Sequence, residues 1–281
     1  MNAIDYAEKA SELFVLSDSF LRIKELIDNE SSTIDDISEV ILIDPALAGS
    51  ILKLANSSFF SYPGKIDTIS KAVLVLGITE VYNLVIAYFS TQAFKSVTAD
   101  KKYLEDFWER SVDCALLIKY LGSSLNLANA ERLFILGLLH NLGELIVQQV
   151  APEKISLCQS DDASIYPWQK QQEILAFTYA DCGAELLKLW QLPYNLVAPI
   201  RNQDEDDFDL INTESQLLYL AKRLMTSQFI NKSPSFSPLI SEQQLVHLGL
   251  NEKTLASAVE YCDLERLGIL SILSPSAVMI Y

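Results

Sequence analysis

Apolar residues recur at intervals of three and four along most of this chain, which is the spacing that places them on one face of an α-helix. The clearest run spans residues 133–147, where four residues share one apolar face: Ile135, Leu139, Leu142 and Ile146. Gly137 and Gly143 lie in the same run. A glycine inside a helix costs about 1 kcal/mol relative to alanine. The pattern therefore predicts one continuous helix over 133–147, with other backbones packed closely against it.

The rest of the chain also has the pattern of successive helices. Thr33 and Asp36 are spaced as a capping box, and Asp44 followed by Pro45 is typical of a helix start. A polar connector follows residue 97, and a segment with two prolines and three serines begins at residue 231. We therefore predict an all-α protein with three parts: an N-terminal helical subdomain over 1–97, a second helical subdomain over 98–230, and a C-terminal helical extension over 231–281.

Composition and charge narrow the class of partner. The chain has 281 residues and a formal net charge of −16, which argues against binding to a nucleic-acid backbone. The N-terminus lacks the features of a signal peptide, and we expect no apolar run of the roughly 18 residues needed to span a membrane. The four cysteines form no C-x-x-C pair, which is typical of reduced thiols in a cytoplasmic protein.

Seven short motifs follow one another in a recognisable order between about residues 10 and 210. They are Asp44-Pro45-Ala46-Leu47 with Lys53-Leu54-Ala55-Asn56-Ser57, Ile69-Ser70-Lys71-Ala72-Val73 with Leu76-Gly77, Phe107-Trp108, Gly137-Leu138-Leu139-His140-Asn141-Leu142-Gly143, Glu173-Ile174-Leu175, Gly183-Ala184, and Trp190-Gln191-Leu192-Pro193. Together they resemble the HDOD family, the HD-related output domain of bacterial signalling proteins. The resemblance implies an all-α fold of two packed helical subdomains, the second similar to the HD phosphohydrolases.

The resemblance also implies where a metal site would lie. HD phosphohydrolases hold metal ions with histidines and aspartates, whereas this chain has arginine, asparagine and tyrosine at corresponding positions. Only one of its two histidines, His140, falls within the matching motifs. The relict positions, which we expect to form a ligand pocket, are Arg110, His140, Asn141, Glu144, Tyr179 and Asn202. We predict no catalytic residue, no metal and no cofactor.

Two of these residues admit more than one interpretation. His140 is either a core histidine hydrogen-bonded to a neighbour or a side chain that contacts a ligand in the relict pocket. The Arg110 guanidinium either pairs internally, with Glu109, Glu144 or Asp181, or binds an anion. Internal pairing and core packing are the simpler interpretations of the two residues.

The functional prediction is a non-catalytic regulatory module that binds a protein partner or a small, nucleotide-like ligand. Three aromatic residues in a loop, Phe59, Phe60 and Tyr62, are the candidates for a partner contact. One alternative is a metal-dependent phosphohydrolase or phosphodiesterase acting on a nucleotide or a cyclic dinucleotide. Another is a scaffolding module that dimerises through its C-terminal extension. No oligomeric state follows from the sequence.

Overall fold

Helices make up 79% of the residues that the structure describes. The computed structural model describes residues 1–14, 16–29, 31–57, 64–94, 97–127, 130–159, 166–231 and 239–273, and these ranges contain no β-strand. The all-α prediction is therefore confirmed. The chain divides into two units. The smaller unit consists of Val15–Lys95 and Leu264–Tyr281, and the larger unit consists of Met1–Phe14 and Ser96–Asp263.

The smaller unit is built on five helices: α2 (Asp18–Asp28), α3 (Ile34–Ile43), α4 (Pro45–Ala55), α5 (Ile69–Leu76) and α6 (Ile78–Ala93). Two of their starts follow the predicted capping signals. Thr33 and Asp36 form a reciprocal capping box, and the Asp44 carboxylate accepts hydrogen bonds from the backbone N–H groups of Ala46 and Leu47. Both signals are local in the chain, so the sequence specifies these helix starts directly.

The larger unit contains α1 (Ala3–Ser11), α7 (Lys101–Ser124), α8 (Ala130–Leu139), α9 (Leu142–Val150), α10 (Ile155–Cys158), α11 (Pro167–Leu175), α12 (Tyr179–Leu189), α13 (Tyr194–Arg201), α14 (Thr213–Asn231), α15 (Glu242–Leu248) and the first half of α16 (Glu252–Leu273). Short 3-10 helices occupy Pro152–Lys154, Asn202–Asp204 and Phe208–Leu210.

Helix α1 belongs to the larger unit although it begins the chain. It packs against α9 and α12, with the Tyr6 and Phe177 rings edge to face at 5.1 Å. The Trp190 indole N–H donates to the Phe14 carbonyl at 3.1 Å. Residues 231–281 are likewise divided between the two units. The three-part division at residues 97 and 230 stays a prediction about domains.

At each of the two glycines of the 133–147 run, the backbone of another helix lies very close. A Cβ on Gly137 would come within 2.4 Å of the Ala115 Cα on α7. A Cβ on Gly143 would come within 1.9 Å of the Tyr179 carbonyl oxygen on α12. The prediction of close backbone packing at these glycines is therefore confirmed.

The prediction of one continuous helix over 133–147 is wrong, because α8 ends at Leu139 and α9 begins at Leu142. In an unbroken helix, the His140 carbonyl would accept the Glu144 N–H. Instead, the Glu144 N–H bonds to the Asn141 carbonyl at 2.9 Å. The Gln203 amide donates to the His140 carbonyl at 2.7 Å, so the turn leaves this buried acceptor satisfied.

Within the described residues, Arg132–Val150 is long and apolar enough to cross a membrane by length and composition, contrary to our expectation from the sequence. However, 72% of that window is buried inside the protein, as in the core helix of a soluble protein. Helices α5 and α6 pass the same test only if they are taken as one span bent by 120°.

Candidate functional site

A cavity of about 450 Å³ lies in the larger unit, within the size range of small-molecule sites. Its walls come from α7, the His140–Asn141 turn, α9, α10, α11, α12 and α14. Five of the six relict positions line it: Arg110, His140, Asn141, Glu144 and Tyr179. The fold thus brings together residues that are up to 69 positions apart in the chain (179 − 110).

His140 is 4% exposed and lines the cavity with a neutral ring. Burial lowers its pKa to about 3, and the positive charges of Lys222 and Arg110 act in the same direction. The ring Nδ1 lies 2.6 Å from the Gly137 carbonyl oxygen. A carbonyl oxygen only accepts, so Nδ1 carries the proton and Nε2 is a hydrogen-bond acceptor.

Glu144 is held by three side chains. Tyr103 and Arg110 both donate to its Oε1 at 2.9 Å, and the Asn141 amide donates to its Oε2. Glu144 lies in the first turn of α9, where the helix dipole favours a negative charge. Of the two interpretations of Arg110, the structure therefore shows the internal pair, with Glu144 as the partner. Asn141 joins the same network.

Two other polar side chains of the cavity wall are neutral. Burial raises the pKa of the Tyr179 phenol, and burial also raises the pKa of the Cys158 thiol, which is hydrogen-bonded to Tyr179. The Tyr179 backbone N–H donates to the Gln171 side chain at 2.9 Å, which connects the first turn of α12 to α11. These groups provide hydrogen bonding at the cavity wall without adding charge.

Lys222 on α14 lines the cavity and was missed by the sequence analysis. Its ammonium contacts both Asp204 carboxylate oxygens at 2.6 Å, and the side chains are only 12% and 7% exposed. Burial lowers the pKa of Lys222, whereas Asp204 acts against that shift. Its Nζ lies 5.2 Å from the centre of the Trp168 ring. The sequence feature that could have indicated Lys222 is a pair of basic residues, Lys222 and Arg223, inside an otherwise apolar stretch of helix.

The sixth relict position, Asn202, is not among the residues of the cavity wall. It begins a 3-10 helix, and its neighbour Gln203 is the residue that reaches the His140 carbonyl. The second histidine, His247, lies on α15 beside Asp209, so the two histidines do not converge. The predicted partner residues Phe59, Phe60 and Tyr62 lie outside the described residues.

A family model described as "HDOD domain" matches residues 13–206, which is more than half of the chain. The chain belongs to the HDOD family. A curated relative from Treponema pallidum (strain Nichols), named only as an uncharacterized protein, is 28% identical over 257 residues. The match covers 86% of this chain and 49% of the relative, so the chain spans about half the length of that protein.

Solved structures share the HDOD fold. A Shewanella amazonensis protein, provisionally named a phosphohydrolase, matches with a TM-score of 0.72 and 24% identity over 97% of each chain. A Geobacter sulfurreducens HDOD domain protein of unknown function matches with a TM-score of 0.70 and 18% identity, over 96% of this chain and 97% of its own. At these identities the likeness concerns the fold alone.

The side chains around the cavity do not fit the metal ions that the HD relationship implies. No group of three or more His, Cys, Asp or Glu residues within the described ranges is arranged to hold a metal ion. The Glu144 carboxylate is already paired with Arg110, and Asn141 provides a neutral amide where HD enzymes have a carboxylate. Lys222 and Arg110 also place positive charge near His140. A divalent cation would meet a shortage of free anionic ligands.

Proposed function

We propose that this HDOD protein is a non-catalytic signal-transduction module that acts by binding, with the cavity as its small-ligand site. The observation that supports this most strongly is the Arg110–Glu144 ion pair. In an HD enzyme, metal ions supply the positive charge that polarises a phosphate and activates water. In this chain the Arg110 guanidinium, held 2.9 Å from Glu144, supplies positive charge at the cavity wall.

The chemistry of the remaining groups also favours binding over hydrolysis. A general base must be able to accept a proton near the operating pH. Burial lowers the pKa of His140 to about 3, which makes its neutral ring a weak base at neutral pH. The Glu144 carboxylate accepts hydrogen bonds from Tyr103, Arg110 and Asn141, so both of its oxygens are already occupied by donors of the protein.

We also propose a cytoplasmic location and a protein partner, as predicted from the sequence. The four cysteines are free and buried, which agrees with a reducing compartment. The net charge of −16 favours a basic partner and an association rate that falls as salt is added. In this scheme, occupation of the cavity changes the stability of the helices around it and hence the surface that the partner meets.

Metal analysis together with a hydrolysis assay on the 281-residue chain tests the non-catalytic assignment. Purified protein should contain well below one equivalent of Mn, Fe, Zn or Mg. It should not hydrolyse bis(p-nitrophenyl) phosphate or a cyclic dinucleotide when Mn²⁺ or Mg²⁺ is added. A chelator should leave the melting temperature unchanged. Turnover that depends on metal and is abolished by Glu144→Gln would refute the proposal.

A further inference from the structure

Two of the residues that line the cavity, Arg110 and Lys222, carry positive charge, although the protein as a whole is acidic. The protein carries a formal charge of −16, yet the charged residues that lower the pKa of His140 are Lys222 and Arg110. The potential that these two cations produce at the imidazole is positive. A negatively charged group of a ligand beside this ring would be attracted by both.

The number of charges limits how much negative charge the site accommodates. Arg110 is already paired with Glu144, and Lys222 is already paired with Asp204. The four groups sum to zero (+2 − 2), so each negative charge on a ligand is unbalanced, and a polyphosphate is disfavoured much more strongly than a monoanion. Lys222 has three N–H donors and Arg110 has five, which leaves donors on both cations for one further acceptor group.

The remaining lining identifies two further features of the ligand. Ile155, Pro167 and Met225 contribute apolar surface to the cavity, which favours an apolar body. His140 contributes an acceptor, because its proton is held on Nδ1 by the Gly137 carbonyl and Nε2 is the remaining polar atom of the ring. A ligand that satisfies this nitrogen needs a hydrogen-bond donor, such as a hydroxyl group.

We propose that the cavity binds an organic monoanion of the apolar 2-hydroxycarboxylic acid class. The carboxylate accepts hydrogen bonds from Lys222 and Arg110, the hydroxyl donates to His140 Nε2, and the apolar body packs against Ile155, Pro167 and Met225. This inference rests on the proposed binding function and adds the chemical class of the ligand.

Three probes that differ in one group each test this class on the wild-type chain of 281 residues. Mandelate has the carboxylate, the hydroxyl and an apolar ring; phenylacetate lacks the hydroxyl; mandelamide lacks the charge. Binding is measured by isothermal titration calorimetry and by quenching of tryptophan fluorescence, since Trp168 lies beside Lys222. Phenylacetate should bind about fivefold more weakly than mandelate, and mandelamide at least about tenfold more weakly.

Variants locate the binding site. Lys222→Met should weaken mandelate binding at least about tenfold, whereas Lys170→Met, which removes a lysine paired on the surface with Glu173, should leave it unchanged. Equal binding of mandelate and mandelamide would overturn the inference, as would undetectable binding of all three probes. The wild-type comparison stands even if Lys222→Met does not fold. Binding of ATP or a cyclic dinucleotide in preference to mandelate would overturn the ligand class alone, whereas the hydrolysis assay bears on the non-catalytic assignment.

Discussion

Gly143→Ala tests whether the backbones of α9 and α12 are in contact at the cavity. The added Cβ would lie 1.9 Å from the Tyr179 carbonyl oxygen, 2.7 Å from its carbonyl carbon and 2.9 Å from its Cα. Ordinary van der Waals contact begins near 3.4 Å, so the two helices would have to separate by about 1.5 Å (3.4 − 1.9). The obstacle is backbone, which cannot rotate away as a side chain can.

We expect Gly143→Ala to reduce the free energy of unfolding by about 2 kcal/mol. Overpacking of a core typically costs about 1–3 kcal/mol, and the backbone clash favours the upper end of that range. Alanine returns about 1 kcal/mol through its higher helix propensity. Urea unfolding followed by circular dichroism measures the difference.

Gly49→Ala is the matched control, since Gly49 also lies within a helix, α4, but a Cβ there meets nothing within 4 Å. It should be neutral or stabilise the protein by up to about 1 kcal/mol. If Gly143→Ala were as stable as Gly49→Ala, the close approach of α9 and α12 would be wrong, and the position of Tyr179 at the cavity would need revision.

Three further predictions concern ionisable groups of the site. Arg110→Met should destabilise the protein by about 1–2 kcal/mol in urea unfolding, because it removes a hydrogen-bond donor from the Glu144 carboxylate, which is only 11% exposed. Arg22→Met is the control: it removes an ion pair with Glu25 whose side chains are 61% and 69% exposed, and it should change stability by less than about 0.5 kcal/mol. Equal effects of the two substitutions would contradict the role of Arg110 as the partner of Glu144. The folded-state pKa of His140 lies near 3 instead of 6.5, so below pH 6.5 the unfolded chain binds a proton that the folded protein does not. The protein should therefore lose about 1.4 kcal/mol of stability per pH unit between pH 6.5 and pH 3. NMR should find the His140 ring neutral at pH 5, and a ring already protonated at that pH would refute the assignment. Lys222→Met should lower the free energy of unfolding by about 3 kcal/mol or more, because it leaves the Asp204 carboxylate buried without its cation. Adding Asp204→Asn to this variant should recover part of the lost stability. No recovery would show that the lysine stem, and not the ion pair, provides the stability.

The parts of the fold that could be predicted from the sequence depend on short-range signals. Thr33 with Asp36, and Asp44 with Pro45, fix helix starts within three residues of chain. The 3.6-residue periodicity gave the all-α class. The glycines at 137 and 143 indicated close packing because only the absence of a side chain explains glycine in an apolar helix.

The features that could not be predicted depend on residues far apart in the chain. At the helix break after Leu139, the His140 carbonyl accepts its hydrogen bond from Gln203, which lies 63 residues away in the chain. The Lys222–Asp204 pair joins residues 18 positions apart that lie on different helices. The HD resemblance pointed to Asn202 as a position of the site because an alignment assigns residues to a motif by their place in the chain. Only the folded backbone shows that the next residue, Gln203, is the one that faces the His140 turn.

The position of Lys222 has a consequence for how members of this family diverge. The match to the family ends at residue 206, whereas Lys222 contributes to the cavity wall from α14. Two proteins can therefore share the whole matched segment, keep the same fold around it, and still present different groups to whatever enters. The chemistry of the cavity can therefore change during evolution through a helix that lies beyond the segment by which the family is defined.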